Sequence, residues 1–234
     1  MGEDPSPSPA SDESAAEWGA SSHTEHRWPA SLAVAVAIAL YLVLPDRIIV
    51  GLGPRWLLPA LEGALGAALL VASPRRLDRE SAFLRGVSIS LIALVNMANG
   101  VNLGELLHAL LSGHTKASGQ ALVVASLPVW LTNVIVFALW YWELDRGGPA
   151  TRLSAAHRRP DFLFPQMTAP GATGGQWSPT FLDYLYTSFT NATAFSPTDT
   201  MPLTPWAKLL MMAQSLASLL IMVLVVSRAV NILS

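Results

Sequence analysis

Residues 120–142 read QALVVASLPVWLTNVIVFALWYW and contain no Asp, Glu, Lys or Arg. An α-helix needs about 20 mostly apolar residues to cross the hydrocarbon core of a bilayer. Within lipid, a helix satisfies its own backbone hydrogen bonds, whereas the strands of a membrane barrel would show an alternating polarity that this block lacks. The block therefore predicts a transmembrane helix, and it sets the expected fold class of the chain.

Four further apolar blocks accompany this one, and they predict spans over residues 28–44, 56–72, 85–111 and 205–233. Trp28, Trp56 and Trp206 stand at span ends, where amphipathic rings favour the headgroup region. Only 13% of the 234 residues are charged, against about 25% in a typical soluble domain. We therefore expect an all-α, polytopic membrane bundle of about five spans, with a short half-helix and a turn before the last span.

The composition divides the chain into four regions. Residues 1–27 are rich in Ser, Pro and acidic residues, so they predict a disordered polar tail that buries too little apolar surface to offset its ordering entropy. Residues 28–143 form the predicted four-span bundle, and residues 144–180 a basic loop rich in Pro and Gly. Residues 181–234 form a hairpin followed by the last span.

Arginines predict the orientation in the cell (inner or plasma) membrane. They are concentrated in two loops, with Arg75, Arg76, Arg79 and Arg85 in the first and Arg146, Arg152, Arg158 and Arg159 in the second. The positive-inside rule places both loops in the cytoplasm. The N-terminus is then cytoplasmic as well, and five spans would put the C-terminus outside. We expect the second loop, with His157 among its arginines, to be solvated.

Residues 181–193 predict a short helix, with Ser178 as its N-cap and Pro179 at its first position. This helix is too short to cross a bilayer, and no regular helix continues past Pro197. The last span then begins near Pro205, capped by the preceding threonine. A half-helix and a turn at membrane depth are tolerated only inside protein or along a water-filled cavity.

Residues 181–233 resemble the pore loop and inner helix of two-span potassium channels, in which a Thr-rich turn leads from a pore helix into a TVGYGD filter. The resemblance implies a weakly selective cation channel, with monovalent cations as partners and four copies around one axis. It places the filter-like positions at Thr190, Thr193, Ala194, Phe195, Ser196, Pro197, Thr198 and Asp199.

The filter-like stretch departs from that family. Ser196 and Thr198 replace the two glycines, which readily adopt unusual backbone angles, and Pro197 replaces the aromatic residue and fixes its own φ. We therefore expect no potassium-selective filter of the usual form; Asp199 and the Ser/Thr pattern are what remain. Such pore loops also enter from outside, whereas the arginines put this hairpin on the cytoplasmic side. A hairpin that only packs inside the bundle is the alternative hypothesis.

Residues 130–233 are also similar to a bacterial family of predicted inner-membrane proteins of unknown function. The similarity lies in the aromatic span end 137–141, the DFLFP motif at 161–165, the segment 181–190 and the pair Thr198-Asp199. The family shows Ser-Asp at that pair, and Gly-Met where this chain has Ala192-Thr193. The resemblance implies no established activity, so a structural or accessory membrane protein stays an open alternative.

Polar residues inside the predicted spans suggest a third hypothesis, a small ion- or proton-coupled transporter. Such residues mark candidate functional sites by default, and side chains three apart lie on one side of a helix. Interhelical hydrogen bonding is the alternative role for them. The residues concerned are Glu62, Asn96, Asn99, Asn102 and Glu105.

Other classes of function find little support in the sequence. The chain has no cysteine, which excludes disulfides and thiolate metal sites, and its net charge of -2 does not suggest nucleic-acid binding. Neither paired catalytic carboxylates nor a nucleotide-binding loop is evident. We expect no enzyme activity, no cofactor and no metal site, and the expected partners are the lipid bilayer, monovalent cations and further copies of the chain.

Overall fold

The computed structural model describes residues 28–43, 60, 82–112, 119–152, 159–169, 177–193 and 199–233. The predicted tail 1–27 lies outside the described residues. So do the second predicted span, apart from residue 60, and Glu62 within it. The filter-like residues outside the described part are Ala194, Phe195, Ser196, Pro197 and Thr198.

The described residues are mostly helical, as the apolar blocks predict. In chain order the helices are α1 (Trp28–Val43), α2 (Ala82–Ser112), α3 (Gly119–Leu144), a 3-10 turn (Asp145–Gly147), α4 (Pro149–Arg152), α5 (Pro165–Thr168), α6 (Phe181–Thr193) and α7 (Pro205–Leu233). Two short strands, β1 (Phe162–Leu163) and β2 (Met201–Pro202), pair antiparallel, with Phe162 opposite Pro202 and Leu163 opposite Met201.

Three helices in the described part of the chain are long and apolar enough to cross a membrane. The segments concerned are Arg85–His108, Ser126–Gly147 and Pro205–Val223. Helix α1 has 16 residues and rises about 24 Å at 1.5 Å per residue, less than the ~30 Å of a hydrocarbon core. The predicted count of five spans is therefore not confirmed, since α1 is short and the second predicted span is not described.

Helix α3 lies at the centre, and α1, α2, α6 and α7 all pack against it. Its sequence is apolar on nearly every side, and a helix of that kind is stable only when neighbours or lipid surround it. Val136, Ala138 and Leu139 are accordingly at most 1% exposed. Small residues such as Ala30 and Ala37 face this core from α1 and permit close packing.

The region expected to be a basic loop, residues 144–180, contains folded elements that close one end of the bundle. Phe162 of β1 is fully buried, and its ring lies 5.0 Å from that of Tyr141, 5.9 Å from that of Trp206 and 6.5 Å from that of Tyr184. Arg152, expected to be solvated, is only 3% exposed. That expectation was wrong, because the aromatic side chains carry this segment into the core.

Candidate functional site

Helix α6 starts with a side-chain cap at Thr180, two residues after the predicted cap at Ser178. The Asp183 carboxylate accepts hydrogen bonds from the backbone N–H (2.7 Å) and the hydroxyl (2.8 Å) of Thr180, as in one half of a capping box. Thr180, rather than the predicted Ser178, directly precedes the helix. Helix α7 begins at Pro205 as predicted. The hydroxyl of Thr204 has no hydrogen-bond partner among the described residues, so its side chain does not cap α7.

Helices α6 and α7 begin at the same end of α3. The rings of Phe181 and Trp142 lie 6.1 Å apart there, and Trp206 contacts Phe162. The 13 residues of α6 rise about 20 Å, too little to cross the bundle. Helix α6 ends at Thr193, yet the Thr187 hydroxyl donates to that of Thr200 at 3.1 Å. By Thr200 the chain therefore lies beside the middle of α6 again, so α6 and the residues around Thr200 form a hairpin.

Polar side chains fill the contact of α6 with α3 and α7, and they form what we call the inner network. Gln214 of α7, fully buried, donates to the Ser188 hydroxyl (2.6 Å) and carbonyl (2.8 Å). Its own side-chain oxygen accepts from the Tyr141 hydroxyl (2.6 Å) and from the Asn191 amide (2.8 Å). The four hydrogen bonds of Gln214 thus join all three helices.

Further hydrogen bonds extend the inner network along α3 and α7. The Ser188 hydroxyl donates to the Val134 carbonyl at 2.6 Å. Asn133 donates to the Ser218 hydroxyl at 2.9 Å, and the Ser215 hydroxyl donates to the Asn191 side-chain oxygen at 3.1 Å. All these groups are neutral, so the inner network carries no net charge.

Charged side chains form a second group at the end of α3, the outer cluster: Asp145, Arg146, Arg152, Asp161 and Tyr184. The Asp145 carboxylate is fully buried and accepts from the Tyr184 hydroxyl at 2.6 Å and from the Asp161 backbone N–H at 2.8 Å. The Arg146 guanidinium lies 3.7 Å from the same carboxylate. Two aspartates and two arginines balance their charges.

Asp161 joins the outer cluster to α7. Its carboxylate accepts from the Arg146 backbone N–H at 2.8 Å and from the Trp206 indole N–H at 2.9 Å. Its carbonyl accepts from the Leu203 N–H at 2.8 Å, next to the β1–β2 pair. A single residue thereby fixes the end of α3, strand β2 and the first turn of α7.

Arg152 closes the C-terminal end of α3. One guanidinium nitrogen donates to the carbonyls of Trp142 (2.7 Å) and Asp145 (2.9 Å), and the Asp145 carbonyl also accepts from the Gly148 N–H at 2.9 Å. A cation at this end also interacts favourably with the helix dipole. The guanidinium lies over the Tyr184 ring at 5.4 Å and over the Trp142 ring at 5.9 Å, within cation–π range.

The predicted site residues that the structure describes lie on separate elements, α6, α2 and the stretch before β2. Thr190 and Thr193 donate their hydroxyls to carbonyls of α6 itself, and Asp199 is exposed. In α2, Asn99 and Asn102 are each 5% exposed, while Asn96 and Glu105 are half-buried. No group of three or more His, Asp or Glu side chains that could hold a metal ion occurs within the described ranges.

Asp145, Asp161, Tyr184 and Gln214 were not predicted as site residues, although Asp161 begins the DFLFP motif and Tyr184 lies in the segment 181–190. Two of them carried a usable signal. Asp145 follows the long apolar block of α3, and Gln214 is a polar residue inside the last apolar block. Intramembrane polar residues are candidate sites by default, so Gln214 belonged with the asparagines of α2.

Fold and site together define a class, a helical bundle. Its described part has three helices long and apolar enough to cross a membrane, and the short helix α6 lies between two of them in the chain. No protein-family model, no curated protein and no solved structure matches the chain.

Proposed function

We propose that the chain is a multi-pass protein of the cell membrane whose hairpin is a packing element, and that it acts as a non-conducting structural or accessory protein. One observation carries the proposal. Polar side chains on the inner face of α6 form hydrogen bonds with α3, α7 and the returning chain. Interhelical hydrogen bonds of this kind hold the helices of a membrane bundle together.

The opposite face of α6 supports the same role. Leu182, Tyr186 and Phe189 are 70%, 59% and 46% exposed. This face is apolar or aromatic, as expected of a surface that meets lipid. The two faces of α6 therefore fit a helix packed between α3 and α7 on one side and in contact with lipid on the other.

A weakly selective cation channel is the second candidate, because the hairpin enters and leaves at the same end of the bundle. The exposed Asp199 lies just before β2, where a carboxylate would attract cations to a pore mouth. A channel of this kind requires several copies of the hairpin around one axis. The transporter hypothesis stays a prediction, since Glu62 lies outside the described residues.

Flux measurements on the full-length protein in liposomes test the proposal. We expect potassium and sodium flux no higher than in protein-free liposomes, and a monomer in mild detergent. A cooperative thermal transition of the same preparation would show that the protein is folded. Cation flux that Asp199→Asn lowers without changing that transition would contradict the packing role and favour the channel.

A further inference from the structure

One face of helix α2 is exposed and has no neighbour among the described residues. Helices α3 and α7 and Tyr41 of α1 pack against other sides of α2. The exposed positions recur every three or four residues, and most of them carry small side chains. We call them the small-residue face: Gly86, Ser90, Ala93, Met97, Gly100 and Gly104.

No contact within the described residues accounts for the glycines of this face. A glycine inside a helix is destabilising relative to alanine, because it loses more conformational freedom on folding. A Cβ atom at Gly86, Gly100 or Gly104 would meet no atom within 4 Å, so the described packing does not require their small size. In membrane proteins, small residues on a helix allow the backbone of a second helix to approach closely. The small-residue face therefore has the composition of a helix-packing surface.

The chain between α1 and α2 starts and ends at different levels of α2. Tyr41, two residues before the end of α1, packs with Leu94 and Ala98 of α2. Those two residues follow Ala82, the first residue of α2, by 12 and 16 positions, or about 18–24 Å along the helix axis. Residues 44–81 join these two levels, and apart from residue 60 they lie outside the described part of the chain. This connection must therefore run back along the bundle toward the start of α2.

The apolar block 56–72 has the length and the side chains for this return. Its 17 residues would rise about 25 Å as a helix. Side chains three and four positions apart share one side of a helix. That spacing would place four small residues on one side of the block: Gly63, Ala64, Ala67 and Ala68. The block thus offers a side that matches the small-residue face of α2 in the size of its side chains.

We propose that the small-residue face of α2 is the docking surface for residues 56–72, which pack against it antiparallel to α2. Contact between the two sets of small residues brings the backbones close together, and this gives the glycines of α2 a physical reason. A second copy of the chain is the competing occupant, and it would bring two α2 helices together. The docking does not involve α6, so it holds or fails independently of the function proposed above.

Cysteine cross-linking tests this docking, because the chain has no cysteine of its own. Ala93→Cys, near the middle of the small-residue face, would be paired with a second cysteine at each position from 62 to 70 in turn. The full chain in isolated membranes would be treated with a short bifunctional thiol reagent. A protease site inserted between residues 73 and 81 then shows whether a link joins two parts of one chain or two copies. Ser90→Cys provides a second probe of the same face.

Two further pairs calibrate the experiment. Thr187→Cys with Thr200→Cys is the positive control, because the two hydroxyls lie 3.1 Å apart. Leu216→Cys, which replaces Ala93→Cys as the partner of the same series, is the negative control, because Leu216 is 60% exposed on α7.

We expect links within one chain from Ala93→Cys and Ser90→Cys, at positions that recur every three or four residues and include Gly63 or Ala67. Leu216→Cys should give none. Three results would each overturn the docking while the positive control forms its link: no link, links only between two copies, or links spread evenly over positions 62–70.

Discussion

The inner network and the outer cluster place different polar chemistry at different distances from the end of the bundle. The inner network, around Gln214, uses amides and hydroxyls alone, about halfway along α6. The outer cluster, around Asp145, uses carboxylates and guanidinium groups where α3 ends and α6 and α7 begin. Burial costs more for charges than for amides, and the cost rises toward the centre of a bilayer. Of these two groups, only the one at the helix ends contains charged side chains.

The inner network and the outer cluster also differ in how much free energy of unfolding the loss of one contact should cost. Interhelical hydrogen bonds between neutral groups in membrane proteins average about 0.6 kcal/mol. Removing one partner of a buried ion pair costs about 3–5 kcal/mol, because the other charge stays buried and uncompensated. The outer cluster should therefore contribute more to stability than the inner network.

Replacing the buried carboxylate of the outer cluster should have the largest effect. Asp145→Asn keeps the shape but removes the buried carboxylate that lies 3.7 Å from the Arg146 guanidinium, and we expect about 3–5 kcal/mol of destabilisation. Thermal unfolding in mild detergent would measure it. A midpoint within error of the natural protein would refute the view that the outer cluster is a balanced buried charge group.

Arg152→Lys should rank second. Lysine keeps the charge but lacks the planar guanidinium that lies over Tyr184 and reaches two carbonyls at the end of α3. We expect about 1.5–3 kcal/mol of destabilisation, the usual range for hydrogen bonds to charged groups. The same unfolding assay applies, with Lys208→Arg at an exposed site as the reverse control. Equal midpoints for both variants would show that charge alone matters at position 152.

Gln214→Leu should have a smaller effect and would sharpen the comparison. Four hydrogen bonds are lost, but their partners are neutral, so we expect about 1–2 kcal/mol of destabilisation. Met212→Leu, on the exposed side of the same helix, is the matched control and should be neutral. If Gln214→Leu destabilised the protein as much as Asp145→Asn does, the inner network rather than the outer cluster would hold the hairpin in place.

Asp199→Asn should have the smallest effect on stability. It repeats the chemical change of Asp145→Asn at an exposed carboxylate, so the midpoint of thermal unfolding should not change measurably. The pair of variants isolates burial as the cause of any difference. A clear drop in the midpoint would show that Asp199 makes a structural contact in the membrane-bound protein.

The bounds of the helices were predicted well from local sequence patterns, because a helix depends mainly on residues that are neighbours in sequence. Helix α6 occupies residues 181–193 as expected, and α7 begins at Pro205, where proline suits the first helical position. The cap of α6 was placed too early, at Ser178, since Thr180 and Asp183 form an equally local pattern that competes with it. The loop at 144–180 was misjudged because its apolar residues are too scattered to show a period.

The sequence by itself determined the helical class, the positions of the apolar blocks and the half-helix before the last span, since composition, helix length and proline constraints act locally. Only the tertiary structure decided that Asp145 meets Tyr184, that Asp161 meets Trp206 and that Gln214 joins three helices. Those contacts link residues 23 to 73 positions apart, through side chains whose directions depend on how the helices pack. No local rule encodes that packing, because it results from burying the apolar side chains of α3 on all sides at once.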